Sequence, residues 1–207
     1  MNILRRGVQQ SVPPNSPRMY WVSLALGTGR GVRIPEIVWW ASANIGLKME
    51  FKVKLNQTSY SSPLELVSEY NSTGDSISIV SSNQIRMGSK TYTFPGLDLF
   101  DAEAHSISIE KINSTQTSVT VDELATQVDV VGNLNLSYSN LFGWSQSIAG
   151  STSLDGALWD FQSTRASGEV THNLPIDDGP SSTTIVNKGT GVDGIITGTE
   201  GVDYVWV

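Results

Sequence analysis

The strongest constraint on the fold of this 207-residue chain is a run of alternating apolar and charged residues that ends at Leu55. Every second residue is apolar (Leu47, Met49, Phe51, Val53 and Leu55), and the residues between them are charged (Lys48, Glu50, Lys52 and Lys54). Successive side chains of a β-strand point to opposite faces. The run therefore predicts a strand with one buried and one solvated face. Its three lysines also discourage edge-to-edge aggregation.

Short apolar or alternating runs fill most of the remaining sequence, and turn-forming residues separate them. Nineteen glycines, with many Ser, Thr and Asn residues, suit a protein of many short strands. The sequence contains no internal repeat and no pattern of a long helix. We predict further strands over residues 20–26, 32–34, 63–70, 76–80, 84–87, 90–94, 105–112, 118–122, 127–131, 134–138, 154–161, 184–186, 194–196 and 204–207.

These elements predict one all-β domain, because 39% of the residues are hydrophobic and a sandwich of this length folds undivided. We assign residues 19–162 to a two-sheet antiparallel β-sandwich. Residues 1–18 contain three prolines and are predicted to form an extended arm, since proline has no amide hydrogen to donate. Residues 163–207 are predicted to form a glycine-rich tail with short strands, packed on the sandwich or on a neighbour.

The segment from Ser153 to Phe161 is the apolar run that most closely matches a core strand. Gly156 lies inside it. A glycine within a strand indicates a bulge or a close approach of another backbone. We therefore predict one of these two features at Gly156.

Charge is distributed unevenly along the chain, whose net charge is −7. Residues 1–18 hold Arg5, Arg6 and Arg18 and no acid, which leaves −10 on the remainder. An acidic body argues against nucleic-acid binding, which needs a basic surface. The three arginines are candidates for docking on a partner protein. Trp206, in the apolar C-terminal end, is a second docking candidate and is predicted to be buried.

The absence of cysteine excludes disulfides, thiolate metal sites and a thiol nucleophile. The sequence contains no run of about 18 apolar residues, so it predicts no membrane-spanning segment. No apolar segment typical of a signal peptide follows the basic residues near Met1.

Four short stretches occur in the order and spacing of a known pattern: Gly31–Pro35, Met49–Phe51, His105 through Val121-Asp122, and Leu154–Phe161. Together they resemble the concanavalin A-like, laminin-G-like jelly roll. Two features depart from the family pattern: Trp159 replaces its first late-strand acid while Asp160 is kept, and Gln162-Ser-Thr164 stands where Arg-Ile-Tyr commonly follows. The resemblance implies a lectin-like sandwich.

The tail carries a second resemblance, through Leu174–Gly179, Thr184–Asn187 and Gly191–Gly198. These stretches are similar to a segment that accompanies such jelly rolls in bacteriophage and marine bacterial surface proteins. The resemblance implies a non-catalytic virion component, such as a capsid decoration, head-fibre or tail-associated protein. Its expected partners are other virion proteins, in a homo-oligomer or multi-copy assembly. Two alternatives are a carbohydrate-binding adhesion module for host glycans and a glycoside hydrolase.

Candidate binding residues are few. Trp39, Trp40 and Trp144 are candidates for stacking against a sugar, although packing under loops is an alternative role for the first two. We expect no cofactor. Calcium is the one ligand kept open, because sandwich loops supply oxygen ligands; the candidates are Asp98, Asp101, Asp177 and Asp178.

No catalytic pattern emerges from the carboxylates or histidines. Glycoside hydrolysis needs two carboxylates about 5–10 Å apart. Glu65 and Glu69 lie about 13 Å apart along one strand at its usual rise, and Asp101 and Glu103 fall in a predicted loop. His105 is interpreted as a packed strand residue. The sequence therefore predicts a protein that is not an enzyme.

Overall fold

The computed structural model describes residues 19–21, 31–35, 45–56, 58–60, 63–69, 76–123, 125–130, 138–141, 152–198, 200 and 204–206. These residues form β-strands and no helix, so none of the described segments is a helix that could cross a membrane. In chain order the strands are Met19–Trp21 (β1), Gly31–Pro35 (β2), Lys48–Leu55 (β3), Leu64–Glu69 (β4), Ser76–Ser81 (β5), Gln84–Met87 (β6), Lys90–Thr93 (β7), Ala104–Lys111 (β8), Gln116–Val121 (β9), Ala125–Val130 (β10), Tyr138–Leu141 (β11), Thr152–Ser153 (β12), Gly156–Thr164 (β13), Val170–Leu174 (β14), Thr184–Ile185 (β15), Gly194–Thr197 (β16) and Tyr204–Trp206 (β17).

The strands form two sheets that bury one shared apolar core, so the predicted all-β sandwich is confirmed. The first sheet has the order β10-β9-β8-β3-β13-β1-β17, and β14 also pairs with β13. The second sheet has the order β15-β16-β2-β11-β4-β5-β6-β7. One pairing differs from the antiparallel prediction, because the two-residue strand β12 pairs with β4 in parallel.

The alternating run that led the sequence analysis is strand β3, near the middle of the first sheet. Its apolar residues from Met49 to Leu55 are buried, as the pattern predicts. The Phe51 ring stacks against that of Phe161, with centroids 6.2 Å apart and planes 18° apart. This aromatic contact joins neighbouring strands within the core.

Strand β13 contains the second predicted core run and pairs antiparallel with β3, β1 and β14. A Cβ atom at Gly156 would collide with the Lys54 carbonyl oxygen, so the predicted close approach is confirmed. The bulge lies further along the strand, where the register with β3 shifts between Trp159 and Gln162. There Asp160 has a φ of 52°, and its carboxylate lies 2.9 Å from Lys52 Nζ.

Strands of the tail are part of both sheets. β14 and β17 belong to the first sheet, whereas β15 and β16 extend the second. Trp206 pairs with Met19, is half-buried and packs against the core, where we had predicted full burial. Residues 134–137 of the predicted strand over residues 134–138, and residues 22–26 of that over residues 20–26, lie outside the described residues.

Candidate functional site

Several loops meet where β3 ends, β8 begins, β9 ends and β13 begins. Because these strands are antiparallel neighbours, their connecting segments lie at one edge of the first sheet. We call this region the loop end and define it as residues 56, 58–60, 97–103, 122–123 and 154–155. Binding residues concentrate on loops that a rigid scaffold positions, so this edge is a candidate site.

An aromatic pair lies on the loop end. The rings of Tyr60 and Phe100 meet edge to face, with centroids 5.1 Å apart and planes 65° apart. Both side chains are half-buried and pack against the core. The Tyr60 hydroxyl donates a hydrogen bond to the Asp155 carbonyl oxygen at 3.1 Å. The pair is therefore held in place and retains exposed ring surface.

Asp155 connects the start of β13 to the end of β3. Its carboxylate is buried and accepts a hydrogen bond from Asn56 Nδ2 at 2.8 Å. The backbone N–H of Asn56 also donates to the Asp155 carbonyl oxygen at 3.0 Å. These bonds fix the segment that carries Tyr60.

Removing the Asp155 carboxylate is expected to destabilise the protein. Asp155→Ala removes the hydrogen bond that the buried carboxylate accepts from Asn56, which costs about 1–3 kcal/mol. Asp155→Asn keeps an oxygen at the same position and should cost less. Urea denaturation of both variants measures the difference, and equal losses would contradict the role assigned to this oxygen.

His105, near the start of β8, contacts two segments of the loop end. Its Nδ1 lies 2.8 Å from Asp122 Oδ2, and its Nε2 lies 3.0 Å from Asp101 Oδ1. Asp122 Oδ1 also accepts the N–H of Ser106 at 2.8 Å, and Asp101 Oδ1 accepts the N–H of Glu103 at 2.8 Å. The imidazole thus joins the loop before β8 to the turn after β9.

The charges of this cluster depend on those contacts. Burial disfavours the charged form of His105, but the hydrogen bonds to Asp122 and Asp101 outweigh it and raise the pKa of His105. The N–H of Glu103, followed by the contact with His105, lowers the pKa of Asp101. The cluster therefore favours an imidazolium beside a carboxylate.

The structure places some predicted site residues and not others. Asp98 and Asp101 lie on the loop end, where Asp98 Oδ1 accepts the Phe100 N–H at 3.0 Å. Asp177 and Asp178 follow β14; Asp178 accepts the Val186 N–H, and burial raises its pKa. The remaining predicted site residues lie outside the described residues: Arg5, Arg6, Arg18, Trp39, Trp40 and Trp144.

Neither loop brings three potential metal-ligating side chains together in the described part of the chain. No three His, Asp or Glu side chains among those residues are placed to share a metal ion. Asp101 instead directs one oxygen to His105 and to the N–H of Glu103.

The sequence analysis missed the cluster at His105 and the aromatic pair. Asp101 lies four residues before His105, which gives a weak local signal. Asp122 and His105 are 17 residues apart and meet only through the register of β8 and β9. Tyr60 and Phe100 come from separate loops whose proximity follows from the pairing of β3 with β8.

Comparisons with known proteins support the fold. No family model matches the sequence, and no curated protein is significantly similar. Thirty-four chains of solved structures do match. Among them, the mouse laminin alpha1 chain, domains LG4-5, aligns with a TM-score of 0.51 and 10% identity. The alignment covers 76% of this chain and 42% of the laminin chain, so this chain spans about two fifths of that structure.

At this identity the likeness shows the fold alone. The two-sheet architecture and the structural match define a laminin-G-like jelly roll of the concanavalin A-like type. This confirms the resemblance that the sequence motifs indicated.

Proposed function

We propose that this chain is a non-catalytic, carbohydrate-binding adhesion module and that the loop end is its ligand-binding surface. The observation that carries the proposal is the Tyr60–Phe100 pair beside the polar groups of the loop end. Aromatic rings present a flat apolar surface on which the C–H face of a sugar packs. Carboxylate oxygens near such a surface accept hydrogen bonds from sugar hydroxyls.

The charge of the loop end favours neutral sugars. Asp98, Asp101, Asp122 and Glu123 are at least partly exposed there, and His105 is the cationic group between two of them. The chain outside residues 1–18 also carries a net charge of −10. Repulsion by these carboxylates disfavours sulfated or uronic-acid glycans. We therefore propose neutral hexoses as the ligand class.

The bonding of the carboxylates supports a binding role over hydrolysis. A glycoside hydrolase directs two carboxyl groups at the scissile bond. At the loop end, Asp101 and Asp122 each direct an oxygen to His105, and Asp155 bonds to Asn56. These contacts hold the loops together, which suits a rigid binding surface.

Loss of the Phe100 ring is expected to weaken glycan binding. Stacking on an aromatic ring contributes about 1.4 kcal/mol or more, so Phe100→Ala should lower affinity at least about tenfold. Ile112→Ala is the matched control, because Ile112 is an exposed apolar residue beyond the opposite end of β8. A glycan array identifies the ligand, and calorimetry compares the variants. Equal affinities in both variants would contradict a site at Phe100.

A second proposal concerns the setting of the module, namely a bacteriophage particle. The favouring observation is the contrast between the arginines of residues 1–18 and the acidic remainder. Residue 18 directly precedes β1, which pairs with β13 and β17 in the first sheet. The arm thus joins the body at a hydrogen-bonded strand, and arginine suits bidentate contacts with carboxylates of a neighbouring protein.

Deleting residues 2–18 tests this second proposal. The truncated protein should remain folded, because the strands of the body are kept, and it should no longer join the particle. Mass spectrometry of purified virions measures incorporation, and circular dichroism checks the fold. Incorporation at normal copy number would show that the arm is not the anchor.

A further inference from the structure

The geometry around His105 requires two donated hydrogen bonds. Both ring nitrogens face carboxylate oxygens, at 2.8 Å and 3.0 Å. Neutral imidazole carries one N–H, so it can satisfy one of these carboxylates, and its other nitrogen directs a lone pair at the second. Imidazolium carries two and satisfies both. Only the protonated ring matches both contacts while the carboxylates are ionised.

The two contacts differ in how firmly the protein holds them. Asp122 also accepts the Ser106 N–H, while its own N–H donates to the Ser106 carbonyl oxygen at 2.9 Å. The side chain of Asp122 is 31% exposed and that of Asp101 is 40% exposed. Asp101 instead accepts the N–H of Glu103, which belongs to its own loop, and it lies 3.0 Å from the ring, compared with 2.8 Å for Asp122. The contact with Asp101 is therefore the weaker one.

We propose that protonated His105 holds residues 100–103 of this loop against the sandwich, while Leu99 stays anchored in the core, and that its deprotonation loosens this segment and weakens ligand binding at the loop end. The loosened segment carries Phe100, half of the aromatic pair. The part of this proposal that concerns ligand binding rests on the proposed function. The part that concerns the loop does not.

Other groups around His105 do not replace these partners. Strand β3 places apolar Val53 opposite His105. Lys54 lies opposite Ala104, and alternation directs it to the other face of the sheet. The nearby acids Glu103 and Glu123 are exposed, and neither causes the shift in the pKa of His105. The two aspartates therefore determine the charge of the ring.

The pH window follows from the directions of the shifts. The pKa of His105 is raised above its usual value of about 6.5, so its stabilising contribution is complete below that value. This contribution is lost as pH rises through the pKa in the folded protein. The pKa of Asp101 is lowered, so its contribution is lost only as pH falls through that lower value. The loop is closed between these limits.

Asp101→Asn separates this mechanism from a simple packing role. The amide oxygen of the variant can still accept the N–H of Glu103 and an N–H of His105, but the negative charge beside the ring is lost. The variant should therefore lower the pKa of His105 by about one unit or more, so that the loop opens at a correspondingly lower pH. Asp98→Asn is the matched control, because Asp98 lies in the same loop and accepts from Phe100 rather than His105.

NMR titration of the full chain provides the test. The chain has two histidines, and His172, buried in β14, is the internal reference. In wild type and Asp98→Asn, the amide signals of residues 100–103 should follow the titration of His105. In Asp101→Asn the same change should occur at a pH lower by about one unit. An unchanged pKa of His105 in Asp101→Asn, or loop signals insensitive to pH in wild type, would overturn the proposal.

Ligand affinity is measured separately with the neutral glycan selected on the array. Wild type should bind about tenfold more weakly at about pH 9 than at about pH 6, and in Asp101→Asn the midpoint of this loss should lie about one pH unit lower. If the loop signals change with pH but the ligand affinity does not, the proposal that His105 controls ligand binding is overturned. If no glycan binds, the proposed function fails, while the NMR result still decides whether His105 closes the loop.

Discussion

Gly156→Ala is expected to be the most destabilising conservative substitution in the first sheet, at a cost of about 3 kcal/mol. The added Cβ would overlap the Lys54 carbonyl oxygen and lie 3.0 Å from the Leu55 Cα atom. Both are backbone atoms of β3, the strand to which Gly156 is paired. Since hydrogen bonds on both sides hold β13 in place, the clash can be relieved only by separating core strands.

Gly96→Ala is the control that separates steric overlap from backbone strain. Gly96 has a φ of +84°, and a Cβ there would meet no atom within 4 Å. The left-handed backbone alone should cost about 1 kcal/mol. Urea denaturation gives the free energy of unfolding of both variants. A loss at Gly156 no larger than that at Gly96 would contradict the close approach of β3 and β13.

Phe161→Ala is expected to cost about 3–5 kcal/mol, because it leaves a cavity between the sheets. Phe161 is fully buried in β13 and stacks on Phe51. Val128→Ala is the control, since Val128 is 53% exposed on β10, at the edge of the first sheet. The loss of stability in Val128→Ala should stay within about 0.5 kcal/mol. Thermal and urea denaturation measure the stability of both variants. A loss below about 1 kcal/mol for Phe161→Ala would contradict the place of Phe161 in the core.

A double-mutant cycle with Phe51→Ala measures the ring contact itself. The two rings are neighbours, so their individual losses should not add. We expect a coupling of about 0.5–1.5 kcal/mol between Phe51 and Phe161. Additive losses would show that each ring packs independently.

The sequence by itself determined the local elements of this protein. The alternation up to Leu55 identified β3, and the flanking turn residues identified the β6–β7 and β8–β9 hairpins. Short-range order of this kind follows from the two-residue period of a strand and from the backbone preferences of turn residues. The motifs along the chain also indicated the correct fold family.

Tertiary structure alone decided which strands are neighbours. β3 and β13 pair although Asn56 and Asp155, just beyond their ends, are 99 residues apart in sequence. β1 pairs with β17 from near the other end of the chain. The bulge at Asp160 could not be predicted from the sequence either. An apolar run does not show at which residue the pairing of its strand with a neighbouring strand shifts. Strand order depends on the simultaneous burial of every apolar face, which no single segment encodes.

The candidate site shows the same division. The types of its residues could be read from the sequence, and Asp101 was singled out for its carboxylate. The contact of His105 with Asp122, and that of Tyr60 with Phe100, exist only because antiparallel pairing brings separate loops to one edge of a sheet. Hydrogen bonds and ring contacts act over a few ångströms, so they depend on final positions in space, whereas the strand pattern depends only on neighbours along the chain.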